Sequence, residues 1–198
     1  MTLNLPNILT VIRIFIAPIF YYMLLSEDSL LMALSSVIFL IGALTDWFDG
    51  WYARKYNLES KWGAFVDPLA DKLLTSSALY AFHLLGYVEL WMVIIILIRD
   101  FGTTFLRIYT DRRGISLITS KSAKIKTFYQ FAFLAYILTL VFLQHLPIIS
   151  MPKEIFDIII FSEFTYYSFL FLTLFAVYTL VEYMITIKNT IKKPEVKL

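Results

Sequence analysis

"DWFDGWYARKYNLESKWGAFVDPLAD", residues 46–71, sets four aspartates between two long apolar segments. An ionised carboxylate left unpaired in hydrocarbon costs about 2.5–3.5 kcal/mol on insertion scales. The stretch must therefore fold so that the acids are held, or hold something between them.

The flanking sequence fixes the fold class. Of 198 residues, 60% are hydrophobic and only 16% charged, and mean hydropathy is +0.75. A soluble helix keeps one polar face, yet "LWMVIIILI" at 90–98 and "FLFLTLFAVYTLVEYMITI" at 169–187 are apolar all round. The composition predicts an all-α polytopic membrane protein. Cysteine is absent, which excludes disulfides, Cys-ligated metals and a Cys nucleophile. The net charge of +2 says little in itself, and no nucleic-acid partner is expected. The first segment has neither a basic n-region nor an A-x-A-like cleavage site, so it reads as a retained anchor.

A hydrocarbon core of about 30 Å takes roughly 20 helical residues. Six transmembrane helices are predicted on that measure, near 6–25, 30–56, 63–85, 88–109, 121–146 and 155–187. Short connections at 26–29 and 85–89 make antiparallel hairpins, and 147–154 reads as a Pro-marked loop. On one side, the connections hold Lys153 against Glu27, Asp28, Glu89, Glu154 and Asp157. The other side gathers Arg54, Lys55 and Lys61, the stretch from Arg107 to Lys126, and a tail from Lys188 to Lys197. Basic residues favour the cytoplasm, so both termini of a multi-pass protein are expected there. The basic tail is expected to lie on anionic membrane lipid. No repeat or second domain is visible, and 1–198 reads as a single membrane domain.

The turn near Asn57–Lys61 then faces the cytoplasm, with the acids on either side of it. Asp46, Asp49 and Ala53 share a face of one helix, and Gly63, Asp67 and Asp71 a face of the next. Counted outward from the turn, Asp49 is level with Asp67 and Asp46 with Asp71. Four such carboxylates cannot all ionise unaided. Divalent cations would resolve this, and an all-carboxylate set without Cys or nearby His suits Mg²⁺, Mn²⁺ or Ca²⁺ better than zinc. Two ions so held can clamp phosphates for an in-line displacement at phosphorus. Gly50 and Gly63 would let a ligand approach the backbone, and Arg54 could pair with phosphate. Pro68 suits the first turns of the third span and would kink a helix that begins earlier. The plainer alternatives are acids paired with Arg and Lys inside a bundle, solvated helix ends, or the ion path of a cation or proton transporter.

Asp46, Asp49, Gly50, Ala53, Arg54, Gly63, Asp67 and Asp71 match, without gap or substitution, the D-x2-D-G-x2-A-R-x8-G-x3-D-x3-D signature. The chain thereby resembles the CDP-alcohol phosphotransferases, six-helix and usually dimeric membrane enzymes. These move a phosphatidyl or related group from a CDP-linked donor to an alcohol, with release of CMP. The resemblance implies that Asp46, Asp49, Asp67 and Asp71 surround two divalent ions, Mg²⁺ or Mn²⁺, with Asp71 the candidate catalytic base. It implies a nucleotide and pyrophosphate site of Asp49, Gly50, Ala53, Arg54 and Gly63, within reach of Asn7 and Arg13. Asn7 reads equally as a helix N-cap.

The acceptor must be read elsewhere in the chain. Arg99, Thr103 and Arg107 form an i, i+4, i+8 stripe on the fourth span. In "SKSAKIKTFYQ" at 120–130, Ser120, Lys124 and Thr127 align on one face, and Lys126 pairs at i+4 with Gln130. Two arginines and two lysines near an acid site suggest that Arg99, Arg107, Lys124, Lys126 and Thr127 bind a phosphate on the acceptor. Alternatively, Arg107, Arg112, Arg113 and Lys121 mark the interface, and Arg99 pairs internally with Asp100. "LPNILTVIRIFIAP" at 5–18, the aspartate stretch, Arg99–Arg107 and "KIKT" at 124–127 together look like the bacterial phosphatidylglycerophosphate synthases of that family. That likeness implies CDP-diacylglycerol and glycerol 3-phosphate as substrates. Asp100 stands where that pattern usually has Glu, and Ala123 where it usually has Gly. Inositol phosphate, serine and phosphatidylglycerol are the rival acceptors. His83 and His145, isolated on apolar helices, are expected to be hydrogen-bonded structural residues.

Overall fold

A computed structural model describes residues 5–56, 61–112, 120–146 and 151–192, and among them every regular element is a helix. In chain order these are α1 Leu5–Leu24, α2 Ser29–Tyr56, α3 Lys61–Leu84, α4 Leu90–Arg112, α5 Lys121–His145, α6 Lys153–Ile160 and α7 Glu163–Lys192. Residues 57–60 of the expected turn, the first half of the 147–154 loop, Arg113 and the end of the tail lie outside the described residues. So do the side chains of Ala53, Arg54 and Arg112.

The chain is an all-α polytopic membrane protein. Stretches of α1, α2, α5 and α6–α7 are long and apolar enough to cross a bilayer by composition. Helices α3 and α4, of 24 and 23 residues, have the length but carry charged residues of the site. The sixth expected span, 155–187, is two helices rather than one. Helix α6 stops at Ile160, and the Ser162 hydroxyl accepts from the Thr165 amide at 3.3 Å to cap the start of α7. The largely apolar run on either side of Ser162 and Glu163 hid this stop. Helix α6 is tied to α5 by Gln144, which donates to Asp157 at 2.7 Å.

The other helix ends follow local chemistry. Asp28 caps α2, accepting from the amides of Leu30 and Leu31 at 2.7 and 3.2 Å. Ser120 caps α5 through the Ala123 amide at 3.2 Å. After α3, Gly86 takes φ +78°, and the Tyr87 amide returns to the Phe82 carbonyl at 2.9 Å, closing a left-handed cap. His83 and His145 are hydrogen-bonded to the carbonyls of Val88 and Val141, as structural residues would be.

The bundle is divided along its length. Its apolar core joins the second half of α1 (Phe20, Leu24), of α3 (Leu74, Phe82) and of α5 (Leu134, Ile137) to the first half of α4 (Met92, Ile96) and α7 (Phe169, Leu172). Because the helices alternate in direction, all these segments lie at one end, and the charged segments of the same helices lie at the other. Lipid offers apolar side chains no gain over one another, so close packing holds such helices together. At Gly42 a Cβ would come within 2.7 Å of Leu74 Cδ2 and 3.2 Å of Ile16 Cγ2, which brings α1, α2 and α3 into close contact.

Candidate active site

Helix α1 packs extensively on both α2 and α3, which touch each other much less among the described residues. It is a wedge between the two acid-bearing helices. Asn7, Thr10 and Arg13 recur every third residue along it and are all buried. Asn7 is the third residue of α1, inside the helix and not its N-cap.

The wedge meets the acids directly. Arg13, fully buried, donates from Nη1 to Asp46 Oδ1 at 2.5 Å and from Nη2 to Asp49 Oδ2. The Thr10 hydroxyl donates to Asp67. Asp46 lies within electrostatic reach of Asp71 and Asp67, and Asp49 within reach of Asp67. The acids of α2 and α3 are therefore close enough to act on one another's charge. Arg13 and Thr10 stand among them, a feature that the α2–α3 pattern did not reveal. Polar residues spaced by three in the apolar run at 5–18 were its signal.

Only Asp71 of the four acids also lines the large cavity, of about 730 Å³. Beside it are Pro68 and Lys72, whose ammonium lies 3.6 Å from the Asp71 carboxylate. Pro68 is the eighth residue of α3, which begins at Lys61, two residues before the expected start of the third span. Helix α4 presents Arg99, Thr103 and Arg107 to the cavity, and α5 presents Ser120, Lys124 and Thr127. Both stripes expected from helical spacing thus open on one space. Helix α7 adds Thr179 and Tyr183, which no motif had flagged. Glu182 accepts from Ser120 at 3.2 Å and from Ser122, fastening α7 to the start of α5.

Lys126 departs from expectation. It is fully buried, does not line the cavity, and donates to Asp100 at 2.5 Å and to Gln130. The reason is periodicity. Residues two apart on a helix point about 200° apart, so Lys124 and Lys126 cannot share a face. Arg99 lines the cavity and also pairs with Asp100 at 3.0 Å, so both readings of that residue describe its surroundings.

Gly63 is buried and Gly50 partly exposed. Among the described residues no three acids converge as a ready set of metal ligands. The donor chemistry nevertheless suits a hard divalent ion. Four carboxylates lie within electrostatic reach of one another at the charged end of the bundle, and the cations that described contacts set on them are Arg13 and Lys72. Arg13 demonstrates that a positive group fits between Asp46 and Asp49.

A polytopic helical membrane protein with paired acids beside a basic cavity is the class that fold and site define. Residues 3–187 match CDP-alcohol phosphatidyltransferase, and the chain belongs to that family of enzymes. It is 37% identical over 163 residues to the CDP-diacylglycerol--glycerol-3-phosphate 3-phosphatidyltransferase of Bacillus subtilis (strain 168), covering 75% of this chain and 82% of that one. It is 41% identical over 130 residues to a "Probable phosphatidylglycerophosphate synthase" of Mycobacterium tuberculosis, covering 64% of this chain and 62% of the relative. A Rickettsia typhi protein with the same name as the Bacillus one is 37% identical over 127 residues, or 64% of this chain and 71% of its own.

Proposed function

We propose that this chain transfers the phosphatidyl group of CDP-diacylglycerol to the C1 hydroxyl of glycerol 3-phosphate, giving phosphatidylglycerophosphate and CMP. The observation that carries the reading is that Asp71 belongs both to the acid cluster and to the wall of the basic cavity. A base so situated can reach a hydroxyl held in the cavity while the donor's phosphates lie against the acids.

In this reading the glycerol 3-phosphate enters the cavity phosphate first, and Arg107 and Lys124 bind its charge with Thr127 as a further donor. Arg99 adds a positive group at the inner end. Asp71 takes the proton from the C1 hydroxyl as its oxygen bonds to the lipid-linked phosphorus. The bond from that same phosphorus to the bridging oxygen breaks, and CMP leaves with the oxygen and its electron pair. Asn7, Asp49, Gly50, Ala53, Arg54 and Gly63 form the nucleotide and pyrophosphate site. Asp46, Asp49, Asp67 and Asp71 would hold two Mg²⁺ or Mn²⁺ ions, which supply charge neutralisation at the diphosphate.

The same reading has the protein as one domain, a homodimer, in a bacterial inner membrane. All six long helices cross, with both termini and the site on the cytoplasmic side, as the Lys and Arg distribution supports.

The test is CMP release by purified protein in detergent with CDP-diacylglycerol and Mg²⁺. Glycerol 3-phosphate, inositol phosphate, serine, phosphatidylglycerol or no acceptor is supplied in turn. Release that requires glycerol 3-phosphate supports the proposal. Release with another acceptor keeps the site and replaces the substrate, and no metal-dependent release with any of them removes this reading and returns the acids to the transport and structural ones.

A further inference from the structure

We infer that Asp100 and Lys126 are positioning residues that set the inner width of the cavity and thereby the fit of the acceptor's phosphate; the inference rests on the acceptor reading above.

Helices α4 and α5 form facing walls of the cavity, yet they have almost no direct packing on each other among the described residues; each is instead packed on α7. What spans the gap is a chain of polar contacts. Thr179 of α7 accepts from Arg99 Nε at 3.1 Å. Arg99 Nη1 donates to Asp100 Oδ1 at 3.0 Å, and the same oxygen accepts from Lys126 Nζ of α5 at 2.5 Å. Lys126 and Asp100 are 0% and 2% exposed, so this strut is sealed from the cavity whose walls it joins.

Burying ions is a costly way to join two helices. Desolvation offsets much of the Coulombic gain, and apolar side chains of similar volume would hold the helices at least as well. Directional ionic contacts do what apolar packing does not, which is to fix a length and a register. Here the register matters, because Lys124 and Thr127 flank Lys126 on α5 and Arg99 adjoins Asp100 on α4, and all three line the cavity. The strut also sets the charge. Two cations and one anion leave one net positive group, offered to the cavity through Arg99. A phosphate bound between Lys124 and Arg107 thus meets walls whose separation is decided by residues it never touches.

The experiment compares Lys126→Met and Lys126→Arg in full-length protein, reading kcat and the KM of each substrate by CMP release, with thermal unfolding alongside. Lys126→Met leaves Asp100 paired with Arg99, so no buried ion is abandoned. The KM for glycerol 3-phosphate is expected to rise about tenfold or more, and that for CDP-diacylglycerol to change less than about threefold. Lys126→Arg restores a cation of similar reach and is expected to recover the acceptor KM to within about threefold of the original. If Lys126→Met does not fold, Asp100→Asn with Lys126→Met keeps the net charge of the group and gives the same reading. Unchanged acceptor KM, or a parallel rise in both KM values, makes the strut a structural tie and overturns the inference alone. An original chain that releases no CMP with glycerol 3-phosphate overturns the acceptor reading, and the inference with it.

Discussion

Arg13 and Asp46 are 33 residues apart in sequence and 2.5 Å apart in space. With Asp49 on its other terminal nitrogen, the guanidinium joins α1 to α2 at the level of the acids. Removing one partner of a buried ion pair costs about 3–5 kcal/mol, because the remaining charge is left uncompensated. Arg13→Gln is therefore expected to lower the unfolding temperature most in a chelator. Divalent ions, by binding the same carboxylates in the folded state, are expected to restore part of the loss. Thermal unfolding with EDTA and with Mg²⁺ checks this; equal losses in both would remove the electrostatic role.

Asp71 is partly exposed on the cavity wall beside Lys72, so changing its charge disturbs no buried bond described here. Asp71→Asn is expected to fold normally and to lose about 10²–10⁴ in turnover, the usual worth of a positioned base. Wild-type CMP release by this variant would remove Asp71 from the mechanism.

Lys124 reaches the cavity from the opposite wall to Arg107. Lys124→Met is expected to raise the KM for glycerol 3-phosphate by about tenfold, equivalent to about 1.4 kcal/mol, with kcat nearly unchanged. Steady-state assays with varied acceptor read this directly. A loss confined to kcat would relocate the lysine from binding to chemistry.

Two of the helical glycines, Gly42 and Gly102, offer a stability contrast. A methyl at Gly42 meets Leu74 and Ile16, whereas nothing lies within 4 Å of one at Gly102. Gly42→Ala is expected to cost about 1–3 kcal/mol through overpacking. Gly102→Ala is expected to stabilise by about 0.5–1 kcal/mol through the entropy of the unfolded chain. Unfolding temperatures that move in the same direction would refute the packing account of Gly42.

The acids and both basic stripes were legible because helical spacing alone decides which face a residue takes. Asp46 with Asp49, Asp67 with Asp71, and Arg99 with Thr103 and Arg107 all obey it, and each set meets its expected neighbours. Applied as strictly to α5, the same rule separates Lys126 from Lys124. The wedge of α1 was harder to read, since which helix enters between two others depends on the packing of three surfaces. Only the polar face of Asn7, Thr10 and Arg13 hinted at it. The break before α7 was hidden because Ser162 sits in an apolar run, and its cap is visible only once the backbone turns. Thr179 and Tyr183 carry no motif, and their place in the site follows from α7 packing on both α4 and α5.

The division of the bundle into a charged end and a packed end has a physical consequence. Behind the cavity, Phe20, Phe82, Met92, Ile96, Leu134 and Phe169 are all sealed, none more than 1% exposed. Among the described residues they pack the end of the bundle away from the acids and bases with apolar side chains. The fold thus sets its ionisable groups against a layer of close-packed hydrocarbon, which water enters poorly, so the two ends of one bundle offer their surroundings very different media.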